Sequence, residues 1–158
     1  MRHAKSSWDD PNLSDFERPL NNRGLKTAPL MGEVMLKNNF TPEIIVSSPA
    51  MRARQTAELV KNSAAFEAEI SFDERIYEAS AIRLLEVVSD IADEYDSAMI
   101  VGHNPGFENI VRVLTGKSES MPTAALAVVD LEINSWKEIN AETGNLRKFI
   151  RPKEEQKK

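Results

Sequence analysis

The chain has 158 residues, 41% of them hydrophobic, a formal net charge of −5 and no cysteine. That length suits one domain with a substantial core and is too short for two ordinary ones. The acidic balance argues against a broad nucleic-acid surface, and the lack of cysteine excludes disulfides, thiolate metal sites and a thiol nucleophile.

In chain order, Met1-Arg2-His3-Ala4-Lys5-Ser6-Ser7-Trp8 leads into a polar loop, Ser6 to Glu17, long enough to cover a pocket. Residues 23 to 39 place Leu25, Ala28, Met31, Val34, Met35 and Leu36 largely on one face, which predicts a helix packed on a sheet and ended before Pro42. The Ile-Ile-Val run within Glu43 to Ser47 reads as a buried strand. Ser47-Ser48-Pro49 then turns the chain into a helix from Arg52 to Asn62, with Pro49 suited to the helix opening. A short strand is expected at Ile70 to Phe72 and a helix over Ala81 to Tyr95, where Leu84, Leu85, Val88, Ile91 and Ala92 recur at helical spacing.

Ser97 to Val101 is a second apolar strand, running into Gly102-His103, and Pro105 to Thr115 is a helix ended by Gly116. Ala125 to Leu131 and Asn145 to Arg151 read as strands of an antiparallel edge, with Ser135-Trp136 in their connection. A single domain is expected over residues 1 to 151, with 152 to 158 a frayed, charged tail. The alternation predicts an α/β fold.

Both histidines sit among phosphate-binding residues: His3 beside Arg2, and His103 within Val101-Gly102-His103-Asn104-Pro105-Gly106. Neutral imidazole is well populated near pH 7, so a histidine nitrogen attacks phosphorus without an auxiliary base. Arginine forks and imidazole donors converging on one pocket then hold the phosphoryl oxygens. Arg52 falls in the first turn after a strand end, where free amides favour anions. Arg54, two residues on, points to another helix face, so one of the two arginines is expected to be solvated.

The order of these motifs resembles the histidine phosphatase superfamily, and its SixA-type phosphohistidine phosphatase branch in particular. The resemblance rests on Arg2 to Trp8, Arg18-Pro19-Leu20-Asn21-Asn22-Arg23-Gly24, Ser47 to Ala57, Tyr77-Glu78-Ala79 and Val101 to Gly106. It implies a three-layer α/β/α sandwich with a mostly parallel central sheet and an antiparallel edge strand. It also implies that His3 attacks the phosphoryl group, that a phosphohistidine enzyme forms, and that water releases phosphate. Arg2, Arg52 and His103 are expected to hold the oxygens, with Arg18 at the pocket rim. Glu78 occupies the place of the acid that protonates an alkoxide leaving group in many members, yet it also reads as part of a solvated acidic stretch beside Asp73 and Glu74.

In that superfamily the Arg-His motif closes the first, central strand, whereas here only Met1 precedes Arg2. That strand is therefore expected to be missing, through a start assigned too late, a real truncation or an inactive remnant, the first being favoured. His3 is then expected to lack a rigid platform, with the terminal amine intruding near Arg2.

The expected partners are a phosphohistidine-containing protein or a small phosphorylated substrate, with no nucleic acid and no membrane. Nothing in the residues bears on oligomeric state. No run spans a bilayer and no signal peptide is evident, so a cytoplasmic enzyme is expected. Asp9 and Asp10 lack the further ligands of a metal site, so neither metal nor other cofactor is expected. The alternatives are a small-molecule phosphomonoesterase that depends on Glu78 and an inactive phosphate-binding homologue.

Overall fold

The Ile-Ile-Val run forms strand β1 (Ile44–Ser47), the middle of a parallel three-stranded sheet in the computed structural model, which describes residues 1–158. Strand β2 (Glu69–Phe72) flanks it on one side and β3 (Ala98–Val101) on the other, with Ile45 opposite both Ile70 and Met99. Side chains alternate across a strand, so a sheet buried on both faces needs cover on both. Ile45, Met99 and Val101 enter one core, while Val46, Ala98 and Ile100 face a second.

Helices α1 (Asn22–Lys37) and α2 (Met51–Ala64) pack on each other and supply Ala28, Met31, Ala57 and Val60 to the first core. The Asn21 side chain caps α1 by accepting the Gly24 N–H at 2.9 Å. Helices α3 (Ala81–Ser89) and α4 (Gly106–Thr115) cover the opposite face with Leu84, Val87, Phe107 and Leu114. Gly116, in the left-handed region at φ 73°, ends α4. This is the expected three-layer α/β/α arrangement.

The antiparallel edge is a pair of strands, β4 (Leu126–Leu131) and β5 (Gly144–Ile150), which forms its own two-stranded sheet. No strand joins β4 to β3. Residues 1–4 bridge the two sheets instead: Arg2 makes a parallel bridge to Gly102, its N–H donates to the Ala125 carbonyl at 3.0 Å, and the Ala124 N–H donates to the His3 carbonyl at 2.9 Å. Their partner numbers rise with the chain beside β3 and fall with it beside β4. At the end of this bridge the Met1 ammonium donates to the Ile100 carbonyl at 2.7 Å, and burial lowers its pKa to about 5. Met99, Ile100, Leu126 and Val128 then line a cavity of about 580 Å³ between the two sheet edges.

Two expectations differ from the structure. Helix α3 stops at Ser89 rather than Tyr95. Beyond it, Arg75 donates to the Asp90 carboxylate at 2.9 Å, Asp93 accepts from Ser135 and Trp136, and the Trp136 indole donates to the Tyr95 carbonyl. These tertiary bonds draw the chain off the helical path. The terminal segment is not wholly frayed: α5 (Pro152–Glu155) forms a helical turn with Pro152 buried at its first position and contacts α1. Proline fixes the φ of that position, and Glu154 and Glu155 complement the positive end of the turn.

Candidate active site

Three elements fix the backbone of the His3 segment. The His3 N–H donates to the Gly102 carbonyl after β3 at 2.9 Å, its carbonyl accepts from Ala124, and the Ala4 N–H donates to Thr56 Oγ1 of α2 at 2.9 Å. The platform expected to be lacking is therefore present, held by backbone bonds beside β3 and β4 and by a side-chain hydroxyl of α2. Gly102 itself leaves room for the second core: a Cβ there would lie 2.6 Å from the Phe107 ring.

His3 is buried, and its Nδ1 lies 2.7 Å from the Ala4 carbonyl. A carbonyl only accepts, so the proton resides on Nδ1 and the Nε2 lone pair is free. Burial is the largest cause of a pKa lowered to about 3; the Ala4 bond opposes it, and the charges of His103, Arg52 and Arg2 add to it. At neutral pH this imidazole is an uncharged base.

His103 follows β3 at its carboxyl end, the place where parallel sheets present ligand-binding residues. Its ring centroid lies 5.2 Å from that of His3. Its Nε2 is 2.8 Å from Ser48 Oγ, the hydroxyl in the turn between β1 and α2 that also accepts the Ala50 N–H. Burial first, then Arg52 and Arg2, lower its pKa to about 4 against the pull of Asp15. Its Nδ1 is buried without a partner, as is Nε of Arg2. Arg2 is anchored through Nη1 to the Met121 carbonyl at 3.0 Å.

Arg52 is the second residue of α2 and is buried. Its Nη1 donates to the Asp15 carbonyl at 2.7 Å and its Nη2 to the Asp15 carboxylate at 3.1 Å. Arg18 is buried as well, with Nε on the Ser7 carbonyl, Nη1 on Asp15 Oδ1 and Nη2 on Ser6 Oγ, and its guanidinium stacks 3.2 Å from the Trp8 ring centroid. It reaches the site through Asp15 and braces the Ser6 to Glu17 loop. Arg54 points elsewhere and stacks on Phe72 at 3.9 Å.

Glu78 is exposed at φ 56° and makes no hydrogen bond or ion pair. Its neighbour Tyr77 enters the site instead, edge-on to His103 at 5.5 Å and donating its hydroxyl to Asp15 at 2.5 Å. Asp15, Tyr77, Ser48 and Thr56 are the site residues that the sequence reading did not single out. An Asp15/Arg18 pair at i,i+3 was the one visible signal for Asp15; the other contacts join distant segments. No group of three or more His, Asp or Glu side chains is placed to hold a metal ion.

The histidine phosphatase superfamily (branch 1) family model matches residues 1–99. An uncharacterized protein of Mycobacterium leprae is 30% identical over 166 residues, covering 97% of this chain and all of its own. The SixA protein of Agrobacterium tumefaciens, assigned as a phosphohistidine phosphatase, superposes with a TM-score of 0.83 at 28% identity, covering 96% of this chain and 95% of its own. The protein histidine phosphatase SixA complexed with tungstate gives a TM-score of 0.84 at 23% identity over 98% and 96% of the two chains. The family model spans more than half of the chain, which therefore belongs to the histidine phosphatase superfamily and has a SixA-like fold.

Proposed function

We propose that this chain hydrolyses phosphohistidine on a protein, with His3 as the nucleophile. One observation carries the reading: the Ala4 carbonyl keeps the proton on Nδ1 of a buried, neutral His3, so Nε2 presents its lone pair to phosphorus. Nε2 forms the new P–N bond while the bond from phosphorus to the substrate imidazole breaks, and that imidazole takes a proton from solvent. Water then attacks the phosphorylated His3, phosphate leaves, and the Nε2 lone pair is restored.

Arg2, Arg52 and His103 are the groups proposed to hold the phosphoryl oxygens. The unpartnered Nδ1 of His103 and Nε of Arg2 supply unspent hydrogen-bonding capacity beside the nucleophile. With its proton on Nδ1, His103 accepts from Ser48 at Nε2 and donates to an oxyanion from the other side. Imidazole is a far better leaving group than an alkoxide, which suits a site whose candidate acid, Glu78, has no partner to orient it. The assignment of the Agrobacterium SixA protein points to the same substrate class. No helix is long and apolar enough to cross a membrane.

The test compares phosphate release from a phosphohistidine-bearing protein and from phosphoserine. Turnover of the first, retained within about threefold by Glu78→Gln, is the expected result. Faster turnover of phosphoserine that collapses in Glu78→Gln would make the chain a phosphomonoesterase instead.

A further inference from the structure

Asp15 gathers three donors from separate parts of the chain onto one carboxylate. Arg52 Nη2 of α2 and the Tyr77 hydroxyl both donate to Oδ2, and Arg18 Nη1 donates to Oδ1. Arg52 Nη1 adds a bond to the Asp15 carbonyl. The bonds from Tyr77, Arg52 and Arg18 keep the carboxyl ionised, with a pKa of about 2 despite partial desolvation. The Asp15 side chain is 50% exposed, whereas those of Arg52 and Arg18 are 9% and 8% exposed.

Both hydrogen-bonded Arg52 nitrogens are thus fixed by one residue, through side chain and backbone together. A guanidinium carries more N–H donors than the two spent here, so a clamped Arg52 retains donors for a ligand in a set direction. The clamp is also an anion, close enough to His103 for its charge to act there. A negative charge beside an oxyanion site weakens binding of any phosphate dianion, product included, while the fixed fork retains its aim.

We propose that Asp15 is a positioning residue of this active site: it orients Arg52 for the transferring phosphoryl group and opposes tight binding of the free oxyanion. This rests on the phosphatase reading for the first half and on charge alone for the second. The two effects separate in Asp15→Asn. That variant loses the clamp and the charge together, so kcat falls by about tenfold to a hundredfold, while tungstate binding tightens by about threefold to tenfold. Asp15→Glu restores the charge and recovers part of kcat, with tungstate affinity returning toward the parent value.

The experiment measures kcat and KM on a phosphohistidine protein, tungstate affinity by calorimetry, and the Arg52 Nε–H resonance with tungstate bound. The expected set is a lower kcat, tighter tungstate binding, and an Arg52 resonance that is sharp in the parent and broadened in Asp15→Asn. An unchanged or weaker tungstate affinity in Asp15→Asn overturns the proposal, as does an equally sharp Arg52 resonance. The tungstate and resonance readouts need no turnover, so they decide the role of Asp15 even where the substrate assignment fails.

Discussion

The Nδ1–H of His3 donates to the carbonyl of Ala4, 2.7 Å away, so the proposed nucleophile is oriented by the residue that follows it in the chain. Ala4 is fixed in turn by Thr56 Oγ1, which also donates to the Arg52 carbonyl at 2.7 Å. The ring orientation of His3 and the first turn of α2 therefore share one hydroxyl. Thr56→Val removes that link without changing shape much and leaves the Ala4 N–H unpartnered. It is expected to lower kcat by about tenfold and to cost about 1–3 kcal/mol of stability, measured by turnover and denaturant unfolding of the same preparation.

Arg52→Ala removes the buried guanidinium at the head of α2 and leaves Asp15 bound only by Arg18 and Tyr77. The expected loss in kcat/KM is about a hundredfold to a thousandfold. Arg52→Lys retains the charge but not the fork, and recovers less than about a tenth of that loss. Steady-state kinetics on the two variants checks both statements.

The two histidines set the acid limb. Their folded pKa values, about 3 for His3 and about 4 for His103, lie below the ordinary 6.5. Between those values and 6.5 the unfolded chain binds protons that the folded chain refuses, so stability rises with pH across that window. It is complete above 6.5 and lost as pH falls toward 4 and then 3. Activity that needs neutral His3 should stay level from pH 8 to about 5, within a factor of about two. Unfolding free energy against pH reads the first effect, and the pH profile of kcat/KM reads the second; a kcat/KM profile that halves near pH 6.5 contradicts the burial-driven shift.

The cavity between β3 and β4 is lined on both sides by apolar strand residues, with Met1 at its end. Joining about five β-branched apolar residues ahead of Met1 carries an extended segment into it, parallel to β3 and antiparallel to β4. Several buried side chains, at roughly 1.5–3 kcal/mol each, outweigh the cost of ordering their backbone by a few kcal/mol. The expected rise in melting midpoint is about 5–10 °C, against no rise for a glycine-serine extension of equal length.

Much of this architecture was legible because periodicity is local. The helix at Asn22–Lys37, the strand at Ile44–Ser47, and the turn from Ser47 into α2 follow from patterns within a few residues of each position. His3, His103, Arg2 and Arg52 were singled out from motif order, and the structure brings the charges of the other three to bear on His3. Asp15 was not, because its partners Arg52 and Tyr77 lie 37 and 62 residues away and no pattern within the loop encodes them. The early end of α3 escaped for the same reason: Ile91 stays in the core whether or not the helix continues, so periodicity alone does not register the break.

In the proposed mechanism His3 becomes phosphorylated. Rapid quenching of the enzyme with a phosphohistidine protein, under conditions that preserve acid-labile phosphate, followed by mass spectrometry of the peptides, locates the phosphoryl group directly. The expected result is phosphate on His3 that appears and decays at the rate of turnover and is absent in His3→Ala, whose activity falls by about four orders of magnitude. Phosphate release that proceeds at the normal rate in His3→Ala, or a phosphoryl group found on another residue, contradicts it.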